Sequence, residues 1–188
     1  MQFLIRVILI VIAVLLLVPE PSGASIVFKP NKAEYVPPGE EEINGNAAEI
    51  YQTAQAAEKE NNVKRAIKAY KSLVKRHPKD ALAPTALFRA AQLQEQTHQY
   101  TPAAESYLQL VERYASNPHF DEAIEGQFRV GEVYLNGKKL KVLGIPVASA
   151  LDRAVTIFAN VVRTAPYGRY TARAQFNIGM AREKQGAN

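Results

Sequence analysis

Val63-Lys-Arg-Ala-Ile-Lys-Ala-Tyr-Lys-Ser-Leu-Val-Lys-Arg-His-Pro78 is the stretch that decides the fold. Ala66, Tyr70 and Leu73 stand at i, i+4 and i+7, so they share one face of a helix that Pro78 stops. The same arrangement returns at Tyr100, Ala103, Tyr107 and Leu110, and again at Ala154, Phe158 and Val161 with Pro166 behind it. A small residue followed one turn later by an aromatic lets a neighbouring helix come close and then be gripped. Three copies of one packing device identify a repeat architecture.

Working outward, the first helix pair is expected over about 47–59 and 63–76, turning at Asn61-Asn62. The second covers about 83–97 and 101–114, with Thr101 as N-cap and Pro102 at the first helical position. The third runs from Asp121, as N-cap, to about Leu135, and then over about 148–163 with a cap near Ser149. A final helix, about 170–184, has no partner and would leave Phe176 and Met180 bare. The small residues of the first helices align as Ala54, Ala91, Gly131 and Gly179, and those of the second as Ala66, Ala103 and Ala154. Ala66 follows Ala54 by 12 residues and Ala103 follows Ala91 by 12, but Ala154 follows Gly131 by 23. The third pair therefore carries an insertion of 11 residues, between Asn136 and Val147.

An aromatic stands three residues before each first-helix small residue: Tyr51, Phe88, Phe128 and Phe176. Phe88 and Phe128 are each followed by an arginine, Arg89 and Arg129. Tyr51, Phe88, Arg89, Phe128 and Arg129 are the candidates for a groove that takes an extended or helical peptide. The competing expectation is that the rings pack between neighbouring pairs, as aromatics at helical spacing more often do.

The ends and the composition bound the setting. Residues 1–24 read as a secretory signal peptide: Arg6 opens it, Val7 to Val18 is unbroken apolar sequence, and Ser22 and Ala24 are small residues at the cleavage site. An uncleaved anchor is the other reading, though the run is shorter than the ~20 residues of a spanning helix. Export to the periplasm is expected, with association at the outer membrane open. Residues 25–46, with Pro30, Pro37, Pro38, Gly39 and Glu40 to Glu42, show neither helical nor strand period and are expected to be a flexible tether. The chain of 188 residues has no Cys, which excludes disulfides and thiolate chemistry. Lys and Arg number 23 against 18 Asp and Glu, a mild and dispersed excess that points to no nucleic-acid module.

Asn136 to Val147 reads N-G-K-K-L-K-V-L-G-I-P-V. Lys138, Lys139 and Lys141 interleave with apolar residues including Leu143, a pattern suited to touching a membrane surface or a partner, or to tucking against the third pair. No catalytic constellation emerges. His77, His98 and His119 are scattered away from metal spacing, and neither a phosphate loop nor a nucleophile elbow is present. No enzyme activity, cofactor or metal is expected.

Three stretches, A-I-K-A-Y-K-S-L-V-K-R-H-P (66–78), A-L-F-R-A-A-Q-L (86–93) and A-A-E-S-Y-L-Q-L-V-E-R-Y (103–114), with Q-F-R-V-G-E-V-Y (127–134), resemble tetratricopeptide repeats. Their 37-residue spacing, Ala66 to Ala103, is slightly over the usual 34. More narrowly they are similar to the BamD-type lipoproteins of the outer-membrane β-barrel assembly machinery. That resemblance implies a right-handed α-solenoid over residues 47–188, an all-α scaffold that binds extended segments of envelope proteins. Its implied partners are the assembly machinery or its substrates; another envelope adaptor, similar to the TolA-binding proteins and tied to division or peptidoglycan, is the alternative. Two departures stand out. The lipid-bearing Cys of that family is absent, so membrane contact would come through a partner, the basic insertion or an uncleaved leader. The repeats stop midway through a fourth where the family has about five. The carboxylate-clamp positions of chaperone-binding arrays hold aromatics here, which argues against recognition of an acidic C-terminus.

Overall fold

The computed structural model describes residues 25–29, 32–36, 43–137 and 147–186. Residues 1–24, read above as a signal peptide, and the insertion residues Lys138, Lys139, Lys141 and Leu143 lie outside the described residues. Among those described, seven helices follow one another in antiparallel pairs: α1 (Ala47–Lys59) with α2 (Val63–Arg76), α3 (Leu82–Gln96) with α4 (Tyr100–Arg113), α5 (Phe120–Asn136) with α6 (Val147–Thr164), and then α7 (Thr171–Gly186). Each helix packs on its predecessor, and first helices also touch first helices of the next pair. The result is an α-solenoid of stacked helix pairs. Its compact unit begins at Ile43, where the sequence reading starts it at 47.

Local chemistry explains the segmentation. Asn46 opens α1 with a capping box: its side chain accepts from Glu49 N at 3.0 Å while Glu49 Oε2 accepts from Asn46 N at 3.0 Å. Asn62 caps α2 by accepting from Arg65 N at 3.1 Å. Asn61, His98 and Gly137 each take a left-handed φ, near 60°, just past a first helix. In the first two turns the next residue closes the helix end, Asn62 N to Ala57 O and Gln99 N to Gln94 O, both at 2.8 Å. Between pairs, Asp80 and Asn117, again 37 residues apart, accept from the backbone N–H two residues on.

Two expected caps are replaced. Gln99 and His119 occupy the N-cap positions of α4 and α5, neither with a side-chain cap bond, which places Thr101 and Asp121 inside the helices. Thr101 instead bridges: its Oγ1 is 2.6 Å from Tyr134 Oη and accepts from Arg153 Nη1 at 2.6 Å.

The expectation for residues 25–46 needs correction. Ser25–Lys29 (β1) and Lys32–Val36 (β2) form an antiparallel hairpin, Ser25 paired with Val36 through Lys29 with Lys32. The short alternations Ile26/Phe28 and Ala33/Tyr35 carry the strand period, hidden between prolines. This hairpin belongs to a compact unit of its own, ahead of Ile43.

The core is one continuous layer between first and second helices. Ala54, Ala66, Ala91, Ala103 and Ala154 are all fully buried, as the small–aromatic device requires, and Tyr70, Tyr107 and Phe158 fill the space they leave. Gly131 is needed rather than merely tolerated: a Cβ there would lie 2.6 Å from the Phe158 ring.

Candidate peptide-binding groove

The second-helix tyrosines do more than fill space. Tyr70 Oη donates to Glu58 Oε1 at 2.6 Å, and Tyr107 Oη donates to Glu95 Oε2 at 2.9 Å. Each carboxylate is then gripped by an arginine from the next pair. Arg89 Nε lies 2.9 Å from Glu58 Oε2, and Arg129 Nε and Nη2 each lie 3.0 Å from Glu95. A tyrosine, a glutamate and an arginine thus tie α2 to α1 to α3, and the same trio ties α4 to α3 to α5. Fork-to-fork geometry makes these charge-assisted bonds stronger than neutral ones.

Burial pushes the Glu58 carboxyl up, but hydrogen bonds from Arg89 and Tyr70 outweigh it and hold the group below its usual range. Burial, and then the Glu58 bond, raise the Tyr70 phenol; burial and the Glu95 charge raise Tyr107. The Glu95 hydrogen bond holds the Arg129 guanidinium all the more firmly protonated.

The candidate residues divide. Tyr51 is half-buried with its edge against Tyr70, ring centroids 5.5 Å apart. Phe88 is buried and stacks flat on His119, with centroids at 4.4 Å and planes 5° apart. Phe128 is 2 % exposed, packed between Phe158 and Tyr170 with the Arg173 guanidinium over it at 4.6 Å. Phe128 therefore works as inter-helix packing, whereas Tyr51 and Phe88 reach an open hollow.

That hollow, of about 400 Å³, is lined by Tyr51, Gln55, Glu58, Lys59, Phe88, Arg89, Gln92 and His119 among others. A second, of about 740 Å³, is lined by Gln92, Glu95, Gln96, His98, Tyr100, Arg129, Glu132, Val133 and Asn136. Gln92 lines both, so the two hollows lie side by side over the first helices α1, α3 and α5. Tyr51, Phe88 and Arg89 fall in the first and Arg129 in the second. Glu58, Glu95, Gln92, Gln96, His119 and Asn136 escaped the sequence reading. The 37-residue interval between Glu58 and Glu95 was the available signal.

The third pair breaks the pattern. Phe158 takes the place of Tyr70 and Tyr107, and Leu135 stands four residues after Gly131, where Glu58 and Glu95 stand after Ala54 and Ala91. Both are buried and apolar, so the third pair has no counterpart of the polar trio at these positions. Glu132 supplies the next tie instead, to Arg173 Nη2 at 3.2 Å.

The alignment of α7 also needs correction. Buried Ala47, Ile50, Ala54 and Ala57 of α1 are matched in spacing by Thr171, Ala174, Ile178 and Ala181. Ile178, not Gly179, holds the small-residue position. Gly179 accordingly has open space where a Cβ would be, and Phe176 turns outward, 68 % exposed.

Residues 50–80 and 85–117 match the family model for the tetratricopeptide repeat. These two segments are tetratricopeptide repeats. The two matched segments coincide with the α1–α2 and α3–α4 pairs, those that keep the tyrosine–glutamate–arginine trio. Stacked tetratricopeptide pairs form a scaffold for protein–protein interaction. No curated protein matches the chain. Among the described residues of the array, no three His, Asp or Glu side chains gather as metal ligands, and no helix is long and apolar enough to cross a membrane.

Proposed function

We propose that this tetratricopeptide array is a non-enzymatic scaffold of the cell envelope that holds extended protein segments along its first-helix groove during outer-membrane β-barrel assembly. The observation that carries the reading is the pair of neighbouring hollows over α1, α3 and α5, one lined by Tyr51 and Phe88 and both by Gln92. The secretory character of residues 1–24 supports export to the periplasm, and the stretches similar to BamD-type lipoproteins support the assembly role. The chain has no cysteine to carry a lipid, so contact with the outer membrane would run through a partner, through Lys138, Lys139, Lys141 and Leu143, or through an uncleaved leader.

Photo-crosslinking tests this in intact cells, with the reactive residue placed at Gln55 or Gln96 in the groove and at Glu105 on α4 as control. Recovery of the assembly β-barrel protein or its substrates from the groove positions is the expected result. Recovery of division or peptidoglycan proteins alone would replace the assembly role with the other adaptor role. Crosslinks from Glu105 alone would remove the groove from the account.

A further inference from the structure

The groove carries more information than its existence. Four of its lining residues are carboxamides: Gln55, Gln92, Gln96 and Asn136. They recur in register. Gln55 and Gln92 directly follow the small residues Ala54 and Ala91, and Gln96 and Asn136 stand five residues after Ala91 and Gly131. The charges between them are largely cancelled within the protein. Arg89 is tied to Glu58, Arg129 to Glu95, and Glu132 to Arg173. Gln92 Oε1 accepts from Arg89 Nη1 at 3.0 Å, which fixes that amide with its NH2 group still to donate.

We infer that these carboxamides form a ladder that reads the main chain of an extended, uncharged polypeptide segment, largely independent of its side chains. The inference rests on the groove being a peptide site and names what that site recognises. A carboxamide offers one acceptor and two donors, the complement of a peptide's N–H and C=O. An extended segment has no internal partners for those groups and must find them outside itself. Packed helices lie roughly 8–10 Å apart, and an extended chain rises roughly 3.3 Å per residue, so successive rungs meet the ligand about every third residue. From α1 to α5 the ladder spans about six residues on the same spacing. Those three ion pairs leave little charge along the middle of the groove to select an acidic or basic ligand; exposed Lys59 lies at its α1 end. The rings of Tyr51 and Phe88 in one half, and Tyr100 and Val133 in the other, offer apolar surface to side chains of varied kind.

The test uses a fluorescein-labelled, end-capped octapeptide of Ser, Thr and Val and follows its anisotropy with the mature chain. Wild type should bind it. N-methylation of two central amides in the peptide, which leaves the protein untouched, should weaken binding at least tenfold. The triple variant Gln55→Ala/Gln96→Ala/Asn136→Ala should do the same; all three side chains are exposed, so its melting curve should match wild type. An aspartate-rich octapeptide should bind no more tightly. Unchanged binding of the N-methylated peptide, or by the triple variant, overturns the ladder while leaving the groove as a peptide site. Failure of wild type to bind any uncharged octapeptide also overturns it. The groove reading itself stands or falls separately, on the crosslinks from Gln55 and Gln96.

Discussion

Arg89 reaches back from α3 to Glu58 on α1, its Nε 3.1 and 2.9 Å from the two carboxylate oxygens. The same carboxylate accepts from Tyr70, so one side chain joins three helices. Glu58→Gln removes the charge that both donors need. It should cost about 1–3 kcal/mol, the range for disrupting a partly buried charged hydrogen-bond network. Thermal unfolding should show a drop of about 2–4 °C per kcal/mol. Arg89→Gln alone should cost less, because Tyr70 still binds the carboxylate.

The same trio sets the pH response. The folded value of Glu58 is lowered, so its contribution is complete above the ordinary carboxylate value of about 4.3 and is lost as pH falls through the lower folded value. The phenols of Tyr70 and Tyr107 are raised, so their contribution is complete below about 10 and is lost as pH rises through the folded values. Melting temperatures measured from pH 3 to 11 should therefore fall at both ends. Glu58→Gln should flatten mainly the acid limb, with a smaller change in the alkaline one because its charge also raises the Tyr70 phenol, and Tyr70→Phe mainly the alkaline one. A uniform displacement at every pH would contradict this assignment.

Glycines discriminate close packing from open helix. A Cβ at Gly126 would lie 2.5 Å from the Tyr107 ring, and one at Gly131 2.6 Å from Phe158, whereas Gly179 has nothing within 4 Å. Gly131→Ala should destabilise by about 1–3 kcal/mol through overpacking. Gly179→Ala should instead stabilise by about 0.5–1 kcal/mol, the helix-interior difference between the two residues. Opposite signs in one melting series check the corrected register of α7.

Gln127 is buried, and its Nε2 has no hydrogen-bond partner within the protein. Ile50 and Leu87 occupy the equivalent positions of the first two pairs. Gln127→Leu should raise stability by about 1–3 kcal/mol, the cost of an unmet buried polar group. A lower melting temperature would mean that an ordered water satisfies the amide.

Phe128 and Phe176 look alike in the sequence and differ in the fold. Phe128→Ala empties a packed site and should cost about 3–5 kcal/mol. Phe176→Ser alters an exposed ring and should stay within about 0.5 kcal/mol of wild type. Equal losses would place Phe176 back in the core.

Much of this was legible beforehand. The first pair's helices follow the sequence reading because Asn46, Asn62 and Pro78 mark their ends and Ala54, Ala66 and Tyr70 their buried faces. The α7 register was not legible, because Phe176-Asn-Ile-Gly179 repeats the residue types of an internal helix one position out of phase. Only the burial of Ala174 and Ala181 reveals the shift. Arg89 and Arg129 stood out as groove cations, yet each is spent on a glutamate more than 30 residues away, a pairing no local pattern shows. Gln55, Gln92, Gln96 and Asn136 give no signal in the sequence, because a carboxamide on a helix is ordinary until a hollow is seen beside it.

The three glutamate–arginine ties grow wetter along the chain. Glu58, Glu95 and Glu132 are 18, 22 and 38 % exposed, and Arg89, Arg129 and Arg173 are 37, 46 and 63 % exposed. Water screens an ion pair in proportion to its access, so the joints weaken from α1 toward α7. In a linear array where each unit leans only on its neighbours, such a gradient sets the order of unravelling. The array should fray from α7 inward. Amide protons of α7 would then exchange fastest and those of α2 and α3 slowest, leaving the amino-terminal half of the groove as the last part of the molecule to come undone.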